Sequence, residues 1–131
     1  MRFNVQTIDI ETPYDRAFDY IADQKNLPLW TNAFQSVSGN LAVMRTNAGM
    51  EEVRLITEAS HSEGKIEWNI QFRDSSARAL SRLLQIDQNY CIYIFVLLPP
   101  PVPLEALEGA LEQQSKIVKE ELVRLKNLLE W

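Results

Sequence analysis

The sequence predicts an α+β domain in which a curved antiparallel sheet of about six strands wraps around one long C-terminal helix, with two short helices between strands 1 and 2. Three observations predict it. Residues 104–131 carry Leu104, Leu107, Leu111, Val118, Leu122, Leu125 and Leu129, a stripe with the three-and-four spacing of one continuous helix. Residues 37–97 alternate apolar and polar side chains between short turn signals, which is the period of strands. The turns between those strands, read one by one, also put the apolar residues on one common face.

The first strand spans residues 2–11. Phe3 and Val5 fall on one parity and Ile8 and Ile10 on the other, which predicts a bulge or strong bend within it. Thr12-Pro13-Tyr14-Asp15 then opens a helix, with Thr12 as N-cap, Pro13 at the first helical position and Asp15 completing a capping-box-like pattern. Tyr14, Phe18, Ile21 and Ala22 form its buried stripe. Asn26-Leu27-Pro28-Leu29-Trp30 begins a second short helix or turn, and Phe34 precedes the next strand.

The meander that follows is set by its turns. Asn47-Ala48-Gly49 fits a three-residue hairpin loop pairing Val43 with Val53 and Leu41 with Leu55. A turn at Ser62-Glu63 places Leu55 opposite Ile70 and Thr57 opposite Trp68. One at Asp74-Ser75 places Ile70 opposite Ala79 and Trp68 opposite Ser81, and one at Gln88-Asn89 places Leu83 opposite Ile94. In that register Val37, Leu41, Val43, Val53, Leu55, Ile66, Trp68, Ile70, Phe72, Ala77, Ala79, Leu83, Ile92, Ile94 and Val96 face inward. Lys65, Glu67, Arg73, Arg78 and Arg82 face water, with Glu67 opposite Arg82 and Arg45 paired with Glu51 at a hairpin rim. Leu80, Leu84, Ile86, Tyr93, Phe95 and Leu97 also fall outward, more apolar surface than a monomer usually exposes. That predicts a homodimer or partner contact through Leu80, Leu84, Tyr93 and Phe95.

Pro99, Pro100 and Pro101 stop the last strand, and Pro103 suits the first helical position. Glu105 and Glu108 complement the positive end of the long helix, and Arg124 and Lys126 its negative end.

Composition narrows the function. With 131 residues and 46% hydrophobic content the chain reads as one domain, 1–131, able to bury a core. A formal net charge of -5 argues against nucleic acid as the main partner. No apolar run reaches the roughly 18 residues of a membrane span, so integral insertion is not expected, and a cytoplasmic location is the default reading. Cys91, the single cysteine, sits in an apolar run as a small buried residue, and His61, the single histidine, falls in a hairpin turn. One His and one Cys build neither a zinc site nor a Cys-His pair, and the four glycines form no phosphate loop. The sequence therefore assigns no catalytic residue, no metal and no cofactor.

Five stretches carry a resemblance: Ile8-Asp9-Ile10-Glu11-Thr12-Pro13, Ala17-Phe18-Asp19-Tyr20-Ile21-Ala22-Asp23, Asn26-Leu27-Pro28-Leu29-Trp30, the alternating strand around Trp68, and Glu121-Leu122-Val123-Arg124-Leu125-Lys126. Together they resemble the START-like helix-grip (SRPBCC) superfamily, in particular its small bacterial polyketide cyclase/dehydrase-like members, over nearly the whole chain. The resemblance implies a hydrophobic cavity between the concave sheet and the C-terminal helix, with its entrance near the short helices. It leaves function open, because that superfamily spans lipid carriers, binders of small molecules and cyclases.

The expected ligand is a small hydrophobic or aromatic molecule. Trp30, Phe34, Trp68, Ile70, Phe72, Leu111 and Val118 supply apolar walls, and Ser81 or Ser115 a polar anchor. Thr57 and Gln114 are further inward polar residues. The same side chains could instead fill the interior completely. Two rivals stand beside ligand binding: a cyclase/dehydrase-like enzyme, which needs polar groups such as Arg78, Arg82 or Glu67 inside the cavity, and an interaction module acting through the outer apolar patch.

Overall fold

Among the described residues, seven antiparallel strands form one sheet in the order β1-β7-β6-β5-β4-β3-β2. In this computed structural model, residues 3–46, 49–98 and 104–130 are described, with side chains in the final helix from 112 onward. The strands are β1 (Asn4–Ile10), β2 (Phe34–Ser38), β3 (Leu41–Thr46), β4 (Gly49–Ser60), β5 (Lys65–Gln71), β6 (Ser76–Asp87) and β7 (Tyr90–Leu97). Helix α1 (Tyr14–Ala22), a 3-10 turn (Gln24–Asn26) and α2 (Leu27–Trp30) lie between β1 and β2, and α3 (Leu104–Leu129) closes the chain. The prolines at 99–101 and 103, the residues Asn47 and Ala48, and the side chains of Leu104, Glu105, Leu107, Glu108 and Leu111 lie outside the described residues. No helix among the described residues is long and apolar enough to cross a membrane.

The strand count exceeds the expected six because Gly39 turns the chain. At φ 60 it takes a left-handed conformation, which a residue without Cβ adopts at little cost, and Ser38 pairs directly with Leu41 across it. One expected strand thus becomes the hairpin β2-β3.

Three registers depart from expectation, each for a local reason. Strand β1 has no bulge: Asn4 through Ile10 pair in unbroken order with Leu97 through Cys91, which turns Asn4 and Gln6 to the inside and leaves Phe3 and Val5 exposed. Thr46 pairs with Gly49, so β3 is joined to β4 by two residues rather than three. That single-residue difference inverts β3, and Ala42 and Met44 are buried where Leu41 and Val43 were expected. Strand β7 inverts for the same kind of reason. Asp87 pairs with Tyr90 as the turn at Gln88-Asn89 requires, but an irregularity between Gln85 and Asp87 shifts the rest by one residue. Cys91 and Tyr93 are buried and Phe95 packs on the core, while Ile92, Ile94 and Val96 take the outer parity.

Elsewhere the expected faces hold. Leu55 pairs with Ile70 and Thr57 with Trp68. The β5-β6 link is two residues longer than expected, pairing Ile70 with Ala77 and Trp68 with Ala79, and an even shift keeps every side chain on its face. Along α3, Val118, Leu122, Leu125 and Leu129 are all buried. Thr12 is buried but caps nothing: Pro13 occupies the N-cap position of α1, and the Thr12 Oγ1 has no hydrogen-bond partner.

Candidate functional site

A cavity of about 990 Å³ opens between the concave sheet face and α3. Its position follows from the packing of α3, whose Gln114, Val118 and Glu121 roof it. Trp30, Ala33 and Phe34 close one side, Met44 and Thr46 come from β3, and Trp68, Ile70 and Phe72 from β5 and its turn. Ala77 and Ala79 floor the region opposite Ile70 and Trp68. These two small residues stand where the neighbouring strands carry large ones, which leaves room in the interior. The Trp30 and Trp68 rings stand 6.4 Å apart at 58°, forming an aromatic corner.

Of the residues expected to form walls, Trp30, Phe34, Trp68, Ile70, Phe72 and Val118 line this cavity. The side chain of Leu111 lies outside the described residues. The two expected anchors are elsewhere. Ser81 is buried in the sheet, where its hydroxyl donates to the Ile66 carbonyl at 2.6 Å. Ser115 faces β1: its Oγ accepts from Gln6 Nε2 at 2.7 Å and donates to Asn4 Oδ1 at 3.1 Å, tethering helix to strand. Thr57 is engaged by Gln24, to whose Oε1 it donates at 2.7 Å.

The polar groups that do reach the cavity were not expected from sequence, Gln114 excepted. They include Arg45 and Glu51 near the hairpin end and Glu121 from α3, beside the smaller Thr31, Thr46, Ser75 and Ser76. Asn32 links Arg45 and Glu121. Its backbone N–H donates to Glu121 Oε2 at 2.6 Å, its carbonyl accepts from Arg45 Nη1 at 3.1 Å, and its Oδ1 accepts from Arg124 Nη1 at 3.1 Å. The segment after α2 is therefore stitched to both β3 and α3. Arg45 also reaches Gln35 Oε1 rather than pairing with Glu51. Glu121 is buried, and burial raises its carboxyl pKa against the opposing Asn32 N–H and Arg124.

Arg82 and Arg78 stay out of the interior. Arg78 borders the cavity, but its guanidinium turns to the outer face, 3.5 Å from Glu67 Oε1, while Arg82 Nη1 donates to Glu67 Oε2 at 3.0 Å. Glu67 pairs across the sheet with Leu80, not Arg82, and meets both arginines diagonally. His61 is exposed in its turn, with Nε2 2.7 Å from Asp15 Oδ1 and its ring edge-on to Tyr14 and Phe18. That contact pins α1 against the β4-β5 turn.

The expected dimer surface also changes. Tyr93 is fully buried and Phe95 faces the core, so neither can meet a partner on the outer face. Leu80 and Leu84 keep the outer parity as expected, joined there by Val5, Ile92, Ile94 and Val96.

No protein-family profile matches the chain, and no curated protein matches it in sequence. Solved structures do match it in shape. A START superfamily protein from Mycobacterium smegmatis superposes with a TM-score of 0.72 at 10% identity, covering 98% of this chain and 97% of that one. The Zhui aromatase/cyclase from Streptomyces sp. R1128 superposes with a TM-score of 0.67 at 11% identity, over 98% of this chain and 90% of that one. The Aha1 dimer from Colwellia psychrerythraea gives 0.63 at 15% identity, over 99% and 97%.

Proposed function

From the START-like helix-grip fold of this chain, we propose that the protein binds a small hydrophobic or aromatic molecule in the cavity under α3, as a carrier or a sequestering protein. The observation that carries this reading is the 990 Å³ space itself, walled by Trp30, Phe34, Trp68, Ile70, Phe72 and Val118. Ligand sites typically span about 300–1,000 Å³ and are mostly apolar with a few polar groups. Removing apolar ligand surface from water supplies about 25 cal/mol per Å², before the cost of association, so micromolar affinity is within reach. We place the role in the cytoplasm, a reading supported by an acidic chain whose single thiol is buried and unpaired.

Native mass spectrometry of freshly purified protein, beside a denatured control, tests the reading. The expected result is a co-purifying lipid-like or aromatic mass, or uptake of an added naphthalene dye that Ala77→Leu abolishes. An empty protein that takes up no dye overturns it.

Two other readings each have one observation in favour. Cyclase/dehydrase-like turnover is favoured by a buried carboxyl, Glu121, at the cavity wall. Self-association through the outer sheet face is favoured by the exposure of Phe3, Val5, Leu84 and Ile86, between 44% and 61%. Light scattering of wild type and Ile94→Lys separates the latter: a dimer that the substitution dissolves supports it, and a monomeric wild type removes it.

A further inference from the structure

Glu121 borders the cavity with only half of its carboxyl group engaged. It is 9% exposed and stands between Val118 and Leu125 on the inward stripe of α3. Oε2 accepts the Asn32 N–H at 2.6 Å, and no donor among the described residues meets Oε1. Among the described residues no cation forms an ion pair with it, and Arg124, which favours its charge from a distance, is outweighed by burial. Arg124 on α3 is engaged by Asn32 Oδ1 and the Trp30 carbonyl, Arg45 on β3 by the Asn32 carbonyl and Gln35, and Arg78 at the rim by Glu67. Glu120 on α3 and Glu51 on β4 add negative charge nearby. An ionised carboxylate would therefore sit against an apolar space with Arg124 acting on it only from a distance and no ion pair in contact, a costly arrangement. A neutral carboxyl fits the same contacts: the oxygen held by the Asn32 N–H serves as the carbonyl, and the other carries the hydroxyl.

We propose that Glu121 is the polar anchor of the cavity, donating its acid hydrogen to an acceptor oxygen on a neutral, largely apolar ligand such as an aromatic ketone. The proposal rests on the cavity-binding reading and adds to it the chemistry of the bound molecule. Burial, which raises the carboxyl pKa, widens the pH range over which Glu121 holds the proton it donates. The anchor selects against pure hydrocarbons, which leave its hydroxyl without a partner.

The test uses two probes of the same ring system, 6-propionyl-2-dimethylaminonaphthalene and 2-dimethylaminonaphthalene, titrated by fluorescence against wild type, Glu121→Leu and Glu121→Gln. Glu121→Leu should weaken the ketone about tenfold while changing its carbonyl-free counterpart by less than about twofold. Glu121→Gln should hold the ketone within about threefold, because an amide keeps both the acceptor for Asn32 and a donor toward the cavity. Raising the pH should weaken the ketone in wild type and leave Glu121→Gln unchanged, which keeps the test open if Glu121→Leu does not fold. Equal losses for both probes, no loss in Glu121→Leu, or a Glu121→Gln as damaged as Glu121→Leu would overturn the anchor alone. Failure of both probes to bind wild type would overturn the cavity reading beneath it.

Discussion

The two halves of α3 do different work. From Leu122 to Leu129 its inward residues are 0–2% exposed, and the helix is bolted to β1 at its end. Lys126 Nζ donates to the Asp9 carbonyl at 2.6 Å and lies 2.8 Å from Glu130 Oε2, which also accepts the Glu11 N–H at 2.8 Å. From Gln114 to Glu121 the same stripe roofs an open cavity and is held by two polar ties, Ser115 to Asn4 and Gln6, and Glu121 to Asn32. One helix thus provides both an anchor for the fold and a ceiling for a ligand. The contrast teaches that stability and binding can be perturbed separately along it.

The sharpest way to break that contrast is to truncate both halves. Leu125→Ala, in the filled half, should destabilise by about 3 kcal/mol, since the vacated space is enclosed on every side. Val118→Ala, whose side chain already borders open space, should cost only about 1 kcal/mol. Urea denaturation of both variants measures this, and equal losses would mean that the two halves are packed alike.

Adding volume sharpens it from the other side. Ala17, fully buried on α1, has no room to grow, and Ala17→Leu should cost about 2 kcal/mol through displaced neighbours. Ala77→Leu projects into the cavity and should leave stability within about 1 kcal/mol of wild type while abolishing dye uptake. A strongly destabilised Ala77→Leu would show that the space is not available.

The carboxylates at the two ends of the stripe should titrate with opposite consequences. Glu130 is held below the ordinary carboxylate range by the Glu11 N–H and then by Lys126. Its contribution is present above that range and lost as pH falls through its depressed folded value. Glu121 is raised by burial, so its contribution is complete below the ordinary range and lost as pH rises through the elevated folded value. At neutral pH Glu130→Gln should therefore lose about 0.5 kcal/mol, whereas Glu121→Gln should be more stable than wild type by a margin that grows as pH rises above the ordinary carboxylate range. Both differences should vanish in acid, and denaturation midpoints at several pH values would expose a shared sign as an error.

How much of this was legible in the sequence differs between the same regions. The stripe from Val118 to Leu129 reads directly, because burial repeats with the helical period. The faces of β4 and β5 were legible too, and that of β6 with them, since an error of two residues at the β5-β6 link leaves parity intact. Strand β7 was not: Cys91, Tyr93, Phe95 and Leu97 are apolar on one parity and Ile92, Ile94 and Val96 on the other, so alternation cannot reveal the shift between Gln85 and Asp87. The walls of the cavity came from large apolar residues, which patterning finds. Glu121 escaped, because a glutamate on a helix is read as solvent-facing. The available signal was spacing: Glu121 stands three residues after Val118 and four before Leu125, inside the buried stripe.

The smallest expected effect separates a local sequence rule from its tertiary setting. Thr12 has the type and position of an N-cap, yet α1 begins with Pro13 at that position and the Thr12 hydroxyl is buried without a partner. A capping threonine replaced by an apolar residue costs about 1 kcal/mol. Here Thr12→Val should instead leave stability unchanged or raise it by up to about 1 kcal/mol, because an unsatisfied buried hydroxyl is replaced by a methyl of the same shape. Thermal denaturation distinguishes the two signs, and a lowered midpoint would restore Thr12 to its capping role and move the start of α1 back by one residue.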